Sequence, residues 1–379
     1  MEKVKNIPTL RFPEFLGEWE LKKLGEVGDV KMCRRIFNNE TLAVGDIPFY
    51  KIGSFGKEAD AFIPKELYWD YRERFSFPKK GDVLISAAGT IGRLVVYNGE
   101  DAYYQDSNIV WIDNDNSNVS NIFLFFILQI VKYNTEGGTI QRLYNNILKS
   151  TKFCCPTLHE QQKIAAFLTA TDEKLQALKQ KKNLLEQYKK GVMQQIFSQE
   201  LRFAADNGND FADWEEKKLG EVANKKSSNI SANKIEENFG DYIIYGASGV
   251  LKKIDFYKEE NDYVSIIKDG AGVGRLLFCK GKSSVLGTME IISPKKEVDT
   301  YFLFCLLSNI DFVKYITGST IPHIYFKDYS KELCGIPCLA EQTKIASFLS
   351  AIDDKINHCQ AQITHTEVWK KGLLQQMFV

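Results

Sequence analysis

Histidine is scarce in this chain, with four in 379 residues. A nucleophile, its base and an orienting group therefore have little to draw on, and no Ser/His/Asp or Cys/His pattern recurs. No His-Glu-x-x-His occurs, and no Asx-Pro-Pro-aromatic methyltransferase motif. Charge of one sign is not in excess: 49 basic and 49 acidic residues leave a formal net charge of zero. That excludes a protein coated in positive charge but leaves room for a local basic groove. Long apolar runs are missing too. The longest, Ile122-Phe123-Leu124-Phe125-Phe126-Ile127-Leu128, is too short to span a bilayer, and Met1-Glu2-Lys3-Val4-Lys5 lacks the apolar core of a signal peptide. The eight cysteines show no paired-motif spacing. Cys154-Cys155 has no counterpart pair downstream, and Cys334 with Cys338 has no partner cluster, so zinc is not indicated. Free thiols scattered in apolar stretches suit a reducing cytoplasm.

Two segments imitate nucleotide loops and fail. Gly270-Ala271-Gly272-Val273-Gly274-Arg275 lacks a glycine at its sixth position and reads as leading into a strand, not a helix. Gly281-Lys282-Ser283 ends like a phosphate-binding loop, but position 276 is Leu instead of Gly. The sequence thus gives no support to intrinsic catalysis. A composition of 44% hydrophobic and 26% charged residues is that of an ordinary globular protein. The length suggests two or three domains.

What the chain does have is a stretch that occurs twice. Pro156 to Phe197 aligns without a gap on Pro337 to Phe378, at an offset of 181 (337 − 156 and 378 − 197). Such a period is far too long for a solenoid and marks a duplicated module, one globular part plus one long helix. Both copies carry a heptad. In the first, Leu168, Leu175, Lys182 and Lys189 alternate with Thr171, Leu178, Leu185 and Val192. In the second, Leu349, Ile356, Ile363 and Lys370 alternate with Ile352, Cys359, Thr366 and Leu373. Spacings of three and four place each set on one stripe, and the seven-residue period favours a left-handed coiled coil. Pairing of the two copies with each other, antiparallel, is the favoured reading; packing of each stripe on its own domain is the alternative. Gly191 and Gly372, near the ends, are mild helix breakers, each costing roughly 1 kcal/mol against Ala.

The globular parts also correspond. Leu10-Arg11-Phe12 and Trp19-Glu20-Leu21-Lys22-Lys23-Leu24-Gly25-Glu26-Val27 match Leu201-Arg202-Phe203 and Trp214-Glu215-Glu216-Lys217-Lys218-Leu219-Gly220-Glu221-Val222. A strand, a glycine turn and a second strand are expected at 82–97 and at 263–278. A short buried helix follows in each, over 123–130 and 302–308, and then a polar segment, Gly138–Tyr144 or Ser319–Tyr325. Between Val27 and Asp82 the first copy diverges strongly from the second. The ends of the module are alike while its front half is free to differ.

Together these motifs make a pattern: the Trp-Glu-x-Lys-Lys-Leu-Gly-Glu-Val opening, the glycine turn ending Gly-Arg, and the helix start Pro-x-Leu-x-Glu-Gln-x-Lys-Ile-Ala, each present twice and in the same order. In this pattern the chain resembles the specificity subunit of type I restriction-modification systems, from Leu10 to Phe378. The resemblance implies an α+β fold in which two target recognition domains of mixed strands and short helices are separated by two long helices. These pair as an antiparallel coiled coil with internal pseudo-twofold symmetry. Boundaries follow at 1–157 (first recognition domain), 158–198 (first spacer helix), 199–338 (second domain) and 339–379 (second spacer helix). It implies no catalysis on this chain. Double-stranded DNA is the expected partner, read as two halves of an asymmetric site. Two methyltransferase subunits would dock on the helices and restriction subunits would join them; no membrane is involved. S-adenosylmethionine, ATP and magnesium are expected on those partner subunits only. A two-domain coiled-coil scaffold without sequence-specific DNA binding is the alternative.

Half-sites one helical turn apart are separated by roughly 34 Å, a distance that a helical rod fixes and a flexible linker blurs. Candidate DNA contacts in the first domain are Arg34, Arg35 and Arg93, with Gln141, Arg142 and Tyr144 on the polar segment. In the second they are Lys225, Lys226, Arg275, His323 and Tyr325. Arginine fits guanine O6 and N7 in a fork, and polar side chains on such a segment can meet base edges; solvated surface positions remain the competing reading for each. The polar Glu-Gln-x-Lys helix start, or the run Lys174, Lys179, Lys181, Lys182, Lys189 and Lys190, is a candidate partner-facing side; for the run, a solvated helix face is the favoured reading, and backbone contact to spacer DNA or partner docking the alternatives. His358 and His365 read as exposed polar positions. Because the divergence is confined to the front half, exchanging Lys31–Asp82 for the matching segment of another family member will change one half of the target. Methylome sequencing in which both halves change, or neither, refutes this.

Overall fold

The computed structural model describes residues 6–133 and 142–379. The chain divides into two compact units, one of Met1–Ala177 with Gln362–Val379 and one of Leu178–Ala361.

In the first unit a four-stranded antiparallel sheet runs in the order Gly28–Lys31, Ile109–Asn114, Val83–Ser86, Leu94–Val96. Val83–Ser86 is buried throughout, as its unbroken apolar run requires of a central strand. A smaller sheet, Phe62–Ile63, Ile47–Tyr50 and Tyr103–Tyr104, packs with it around Phe49, Tyr68, Tyr103, Tyr104 and Trp111. The helix Asn121–Ile130, capped by the Ser120 hydroxyl, sends Phe123, Leu124, Phe126 and Ile127 into a second core.

The second unit repeats this plan. Its four-stranded sheet is Ala223–Ser227, Met289–Pro294, Tyr263–Ile267, Leu276–Cys279. Its smaller sheet is Gly249–Ile254, Tyr242–Gly246, Ser283–Val285, and its capped helix is Thr300–Ser308. In both small sheets the middle strand pairs antiparallel with one neighbour and parallel with the other. The divergent front halves therefore keep one topology. What separates them is local: the first unit inserts the helix Lys65–Arg74, while the second extends the hairpin 242–254.

The duplicated helices run Leu158–Phe197 and Leu339–Gln376, and continue through Gly191 and Gly372, where an added Cβ would meet nothing. In the first unit Leu168, Leu373, Met377 and Phe378 share one core, and Lys370 pairs with Asp172 at 2.5 Å. In the second, Val192 and Ile196 share a core with Leu349 and Ile352, and Lys189 pairs with Asp353 at 2.6 Å. There the Leu178 carbonyl lies 3.2 Å from Cys359 Sγ, so the segments run antiparallel. The two ion pairs are one interaction of the repeat, since Asp172 and Asp353, like Lys189 and Lys370, stand 181 apart (353 − 172 and 370 − 189). Along the stripe Leu168, Thr171, Val192, Leu349, Ile352, Cys359, Ile363, Thr366 and Leu373 are buried, while Leu175, Leu178, Leu185 and Ile356 are half-buried. His358 and His365 are exposed.

The helix starts are tied down by the openings of the modules. Glu160 is 1% exposed. Its carboxylate accepts from Arg11 Nε at 2.7 Å, Arg11 Nη2 at 2.8 Å and Trp19 Nε1 at 3.2 Å. Glu341 accepts from Arg202 Nε at 3.2 Å, Arg202 Nη2 at 2.9 Å and Trp214 Nε1 at 3.1 Å. The adjacent glutamines bridge to the short helix. Gln161 accepts from Ser120 N and donates to the Pro156 and Asn118 carbonyls. Gln342 accepts from Asp299 N and donates to the Pro337 and Glu297 carbonyls. Strands Glu20–Lys23 and Glu215–Lys218 pair antiparallel with Lys152–Cys155 and Leu333–Ile336, completing each clasp. The glycine of Leu-Gly-Glu-Val allows this closeness: a Cβ on Gly25 would sit 3.0 Å from Lys149 Cβ.

This corrects the expectation that the Glu-Gln-x-Lys start faces a partner. Its Glu and Gln are internal, because a buried carboxylate and amide must find their hydrogen bonds within the fold. Its lysines also stay home, Lys163 on Glu14 and Lys344 on Asp206. In the lysine run, Lys189 is likewise taken by Asp353, and Lys182 pairs with Glu186. Substituting Arg11→Met strands the Glu160 carboxylate, which costs about 3–5 kcal/mol. The midpoint of denaturant unfolding followed through Trp19 should fall, and Arg11→Met with Glu160→Met should recover part of the loss; an unchanged midpoint refutes the clasp.

Candidate nucleic-acid interface

The four strands of the first unit's main sheet converge on one end. Gly28–Lys31 finishes there, Ile109–Asn114 begins there, Val83–Ser86 finishes and Leu94–Val96 begins, as the registers Lys31 to Trp111, Ser86 to Ile109 and Ile85 to Leu94 require. The connections at that end hold most of the candidate residues. Arg34 and Arg35 follow the edge strand. The glycine turn from Ala87 to Arg93 lies at the same end, closed by Gly92 N to Ser86 O at 3.0 Å and Arg93 N to Ser86 Oγ at 2.8 Å. Gly89 and Gly92 both have positive φ (63° and 81°), the conformation for which glycine is suited. Against the turn lies the described end of the polar segment: Arg142 bridges to Ala88, and Leu143 N donates to Ala87 O at 2.8 Å. Arg142 and Tyr144 are exposed. Gln141 lies outside the described residues.

The second unit builds the same end. Its glycine turn, Lys268 to Arg275, is one residue longer and closes through Gly274 N to Ile267 O at 2.9 Å. Gly270, Gly272 and Gly274 all have φ near 85°. The polar segment again lies alongside, with Asp269 bridged to His323 and Ile324 N donating to Lys268 O at 3.0 Å. His323 packs edge-on against exposed Tyr325, with ring centroids 5.0 Å apart. Lys225 and Lys226 sit on the edge strand near this end.

The side chains differ in how free they are. Arg93 Nη1 donates to the Phe55 carbonyl at 2.7 Å and so holds a neighbouring loop. Arg35 pairs with Asp106 at 2.9 Å. Arg34 lies over the Phe75 ring, 5.3 Å from its centroid. Arg142 makes no side-chain hydrogen bond or ion pair among the described residues. Lys225 reaches buried Glu290 at 3.2 Å, Lys226 pairs with Glu259, and Arg275 Nη1 touches the Ala247 carbonyl at 3.4 Å.

Sequence reasoning missed three residues here. Asp106 and Ser107 form the tip between Tyr104 and Ile109, and Ser107 has a strained φ of 59°. The run Asp106-Ser107-Asn108 was a readable turn signal, but its partner Arg35 is 71 residues away. Lys268 opens the second turn where the first has Ala87, and the repeat alignment held that signal.

Burial pushes the thiols of Cys33, Cys279 and Cys305 up to about 12 and those of Cys155 and Cys334 up to about 11, far from a thiolate at neutral pH. Among the described residues no group of three or more His, Cys, Asp or Glu gathers to hold a metal, and no helix is long and apolar enough to cross a membrane.

Comparison with known proteins places this geometry. The family model for the type I restriction modification DNA specificity domain matches twice, over residues 17–187 and 212–365, and the chain belongs to that family of specificity subunits, which are non-catalytic. Over 147 residues it is 56% identical to a putative type I restriction enzyme specificity subunit of Haemophilus influenzae, a match that spans 38% of either chain. A putative type I restriction enzyme MjaX specificity subunit of Methanocaldococcus jannaschii is 24% identical over 98% of this chain and 95% of its own. The crystal structure of a type I restriction-modification S subunit from M. genitalium superposes with a TM-score of 0.68 at 16% identity, covering 98% of this chain and 99% of that one; it shows the shared fold.

Arg93 is thus a loop anchor before it is a contact. Substituting Arg93→Met leaves the part-buried Phe55 carbonyl without its donor and should lower stability by about 1–2 kcal/mol. Denaturant melts of the full chain check this, and an unchanged midpoint would return Arg93 to the freely available arginines.

Proposed function

We propose that this chain is the DNA-reading subunit of a type I restriction-modification complex, in which each unit reads one half of a bipartite, asymmetric site. The observation that carries the proposal is that one sheet end is built twice, with the same turn-and-segment frame and different side chains. A common frame suits the common shape of duplex DNA, and different side chains suit different base sequences. Arg34, Arg35, Arg142 and Tyr144 are the contacts proposed for one half-site, and Lys225, Lys226, Arg275, His323 and Tyr325 for the other. Arg93 shapes the first frame. Gln141 remains a candidate from the sequence.

The paired helices set the distance between half-sites and dock two methyltransferase subunits, to which restriction subunits add. The support is the gapless repeat of the helices, which offers the same residues twice. S-adenosylmethionine, ATP and magnesium then belong to those partners. A cytoplasmic setting is supported by eight free cysteines, seven of them buried. The bounds proposed for the recognition domains and spacer helices are 1–157, 158–198, 199–338 and 339–379.

Footprinting of the chain with its methyltransferase partner should show two protected blocks separated by an unprotected gap. Inserting one heptad after Lys179 and one after its counterpart Gln360 keeps the stripe in register and adds about 10 Å of rod, so the gap should widen by about 3 base pairs. A single continuous block overturns the bipartite reading, and a gap that does not change overturns the role of the helices.

A further inference from the structure

Of Arg34, Arg35, Arg93 and Arg142, only Arg35 is both exposed and held by a side-chain ion pair among the described residues. Its side chain is 60% exposed, whereas that of its partner Asp106 is 14% exposed. The bond runs from Arg35 Nε to Asp106 Oδ2 at 2.9 Å. Asp106 is itself fixed: it lies in the tight turn in which Asn108 N donates to the Asp106 carbonyl at 2.6 Å, and Ser107 Oγ donates to Oδ2 at 3.2 Å. The guanidinium is therefore gripped by its inner nitrogen, and neither terminal nitrogen has a hydrogen-bond partner among the described residues. Two parallel N–H groups on a fixed plane match the O6 and N7 acceptors on the major-groove edge of guanine. Arg35 and Asp106 also line a cleft of about 500 Å³, together with Met32, Arg34, Phe37 and Phe75. A concave, partly apolar wall suits a base edge better than a phosphate, which a flexible cation on a convex surface meets equally well.

The second unit supplies a contrast. Lys226 is 58% exposed and its partner Glu259 is 14% exposed, nearly the same balance. But lysine has a single nitrogen, and Glu259 occupies it, so no fork is presented there.

We propose that Arg35 reads a guanine in the half-site contacted by the first unit, and that Asp106 is its positioning residue. This rests on the DNA-reading function proposed above and goes further by naming a base and its reader. Arg142, which has no side-chain partner among the described residues, acts differently, as a backbone contact without base preference.

The test is selection from a randomised duplex library by the full chain in its complex with the methyltransferase subunit, followed by sequencing. The wild type should select a bipartite motif with a fixed guanine in one half. Arg35→Ala and Arg35→Lys should both relax that position on the order of ten- to a hundredfold while leaving every other position intact, since lysine keeps the charge and loses the fork. Asp106→Ala should relax the same position with Arg35 still present, and Asp106→Glu should restore part of the preference. Arg142→Ala should weaken binding to all sequences alike and leave the motif unchanged. Arg35→Lys that keeps the guanine preference, or Arg35→Ala that lowers affinity uniformly, overturns the proposal while the DNA-reading function stands. If the wild type selects no motif, both fall. Melting of each variant at the wild-type midpoint ties these outcomes to recognition and not to unfolding.

Discussion

A buried carboxylate at the start of each long helix is the interaction on which the rest depends. Glu160 and Glu341 are almost fully enclosed, and an ion taken out of water at that depth is tolerated only when its hydrogen bonds are complete. A bidentate arginine and an indole N–H complete them. Because that arginine and tryptophan come from the first residues of each module, the clasp joins the module's beginning to its end. Side-chain hydrogen bonding to Glu160 and Glu341 holds Arg11 and Arg202 above the usual guanidinium range, as a partnership of this kind requires. The glutamine beside each glutamate extends the tie to the short capped helix. Everything between is then free to vary without loosening the frame.

The helices obey a second constraint, that an amphipathic stripe must be covered. Leu168 and Ile196 on the first helix and Leu349 on the second have no exposure at all, and each lies in a core built partly from the other helix. Polar positions in the stripe are matched rather than excluded. The Lys189 and Asp353 pair, like the Lys370 and Asp172 pair, places opposite charges where a like pair would be costly. Such pairs favour one register among those a run of leucines and isoleucines would accept.

The variable and invariant parts of the units divide along physical lines. Strand order, the glycine turn and the clasp recur because they rest on backbone hydrogen bonding and burial, which many side chains satisfy. The side chains at the sheet end recur hardly at all. Apart from the turn arginine (Arg93, Arg275) and the tyrosine (Tyr144, Tyr325), the first unit has Arg34, Arg35 and Arg142, and the second has Lys225, Lys226 and His323. One frame with two palettes is what a reader of two unlike half-sites needs.

Much of this was legible in the sequence. The gapless repeat and its heptads marked two long helices that cover each other, because periodicity reports burial directly. The turn glycines, the central strands and the short apolar helices could be placed from local pattern, and the family motifs from their order. Other features had no local signal. The Glu-Gln pair looked like exposed polar surface; only the fold shows that it is enclosed, since burial of one residue depends on chain arriving from 149 positions away. The shared topology of the divergent front halves was invisible, because strand pairing tolerates sequences with nothing in common. Among seven arginines and lysines of equal standing, the fold alone separated Arg93, occupied in holding a neighbouring loop, from Arg35, exposed and gripped by its inner nitrogen. Sequence by itself determined which elements form and that they form twice. Tertiary structure decided which polar groups are spent inside and which remain at the surface, because hydrogen-bond partners distant along the chain are chosen by packing.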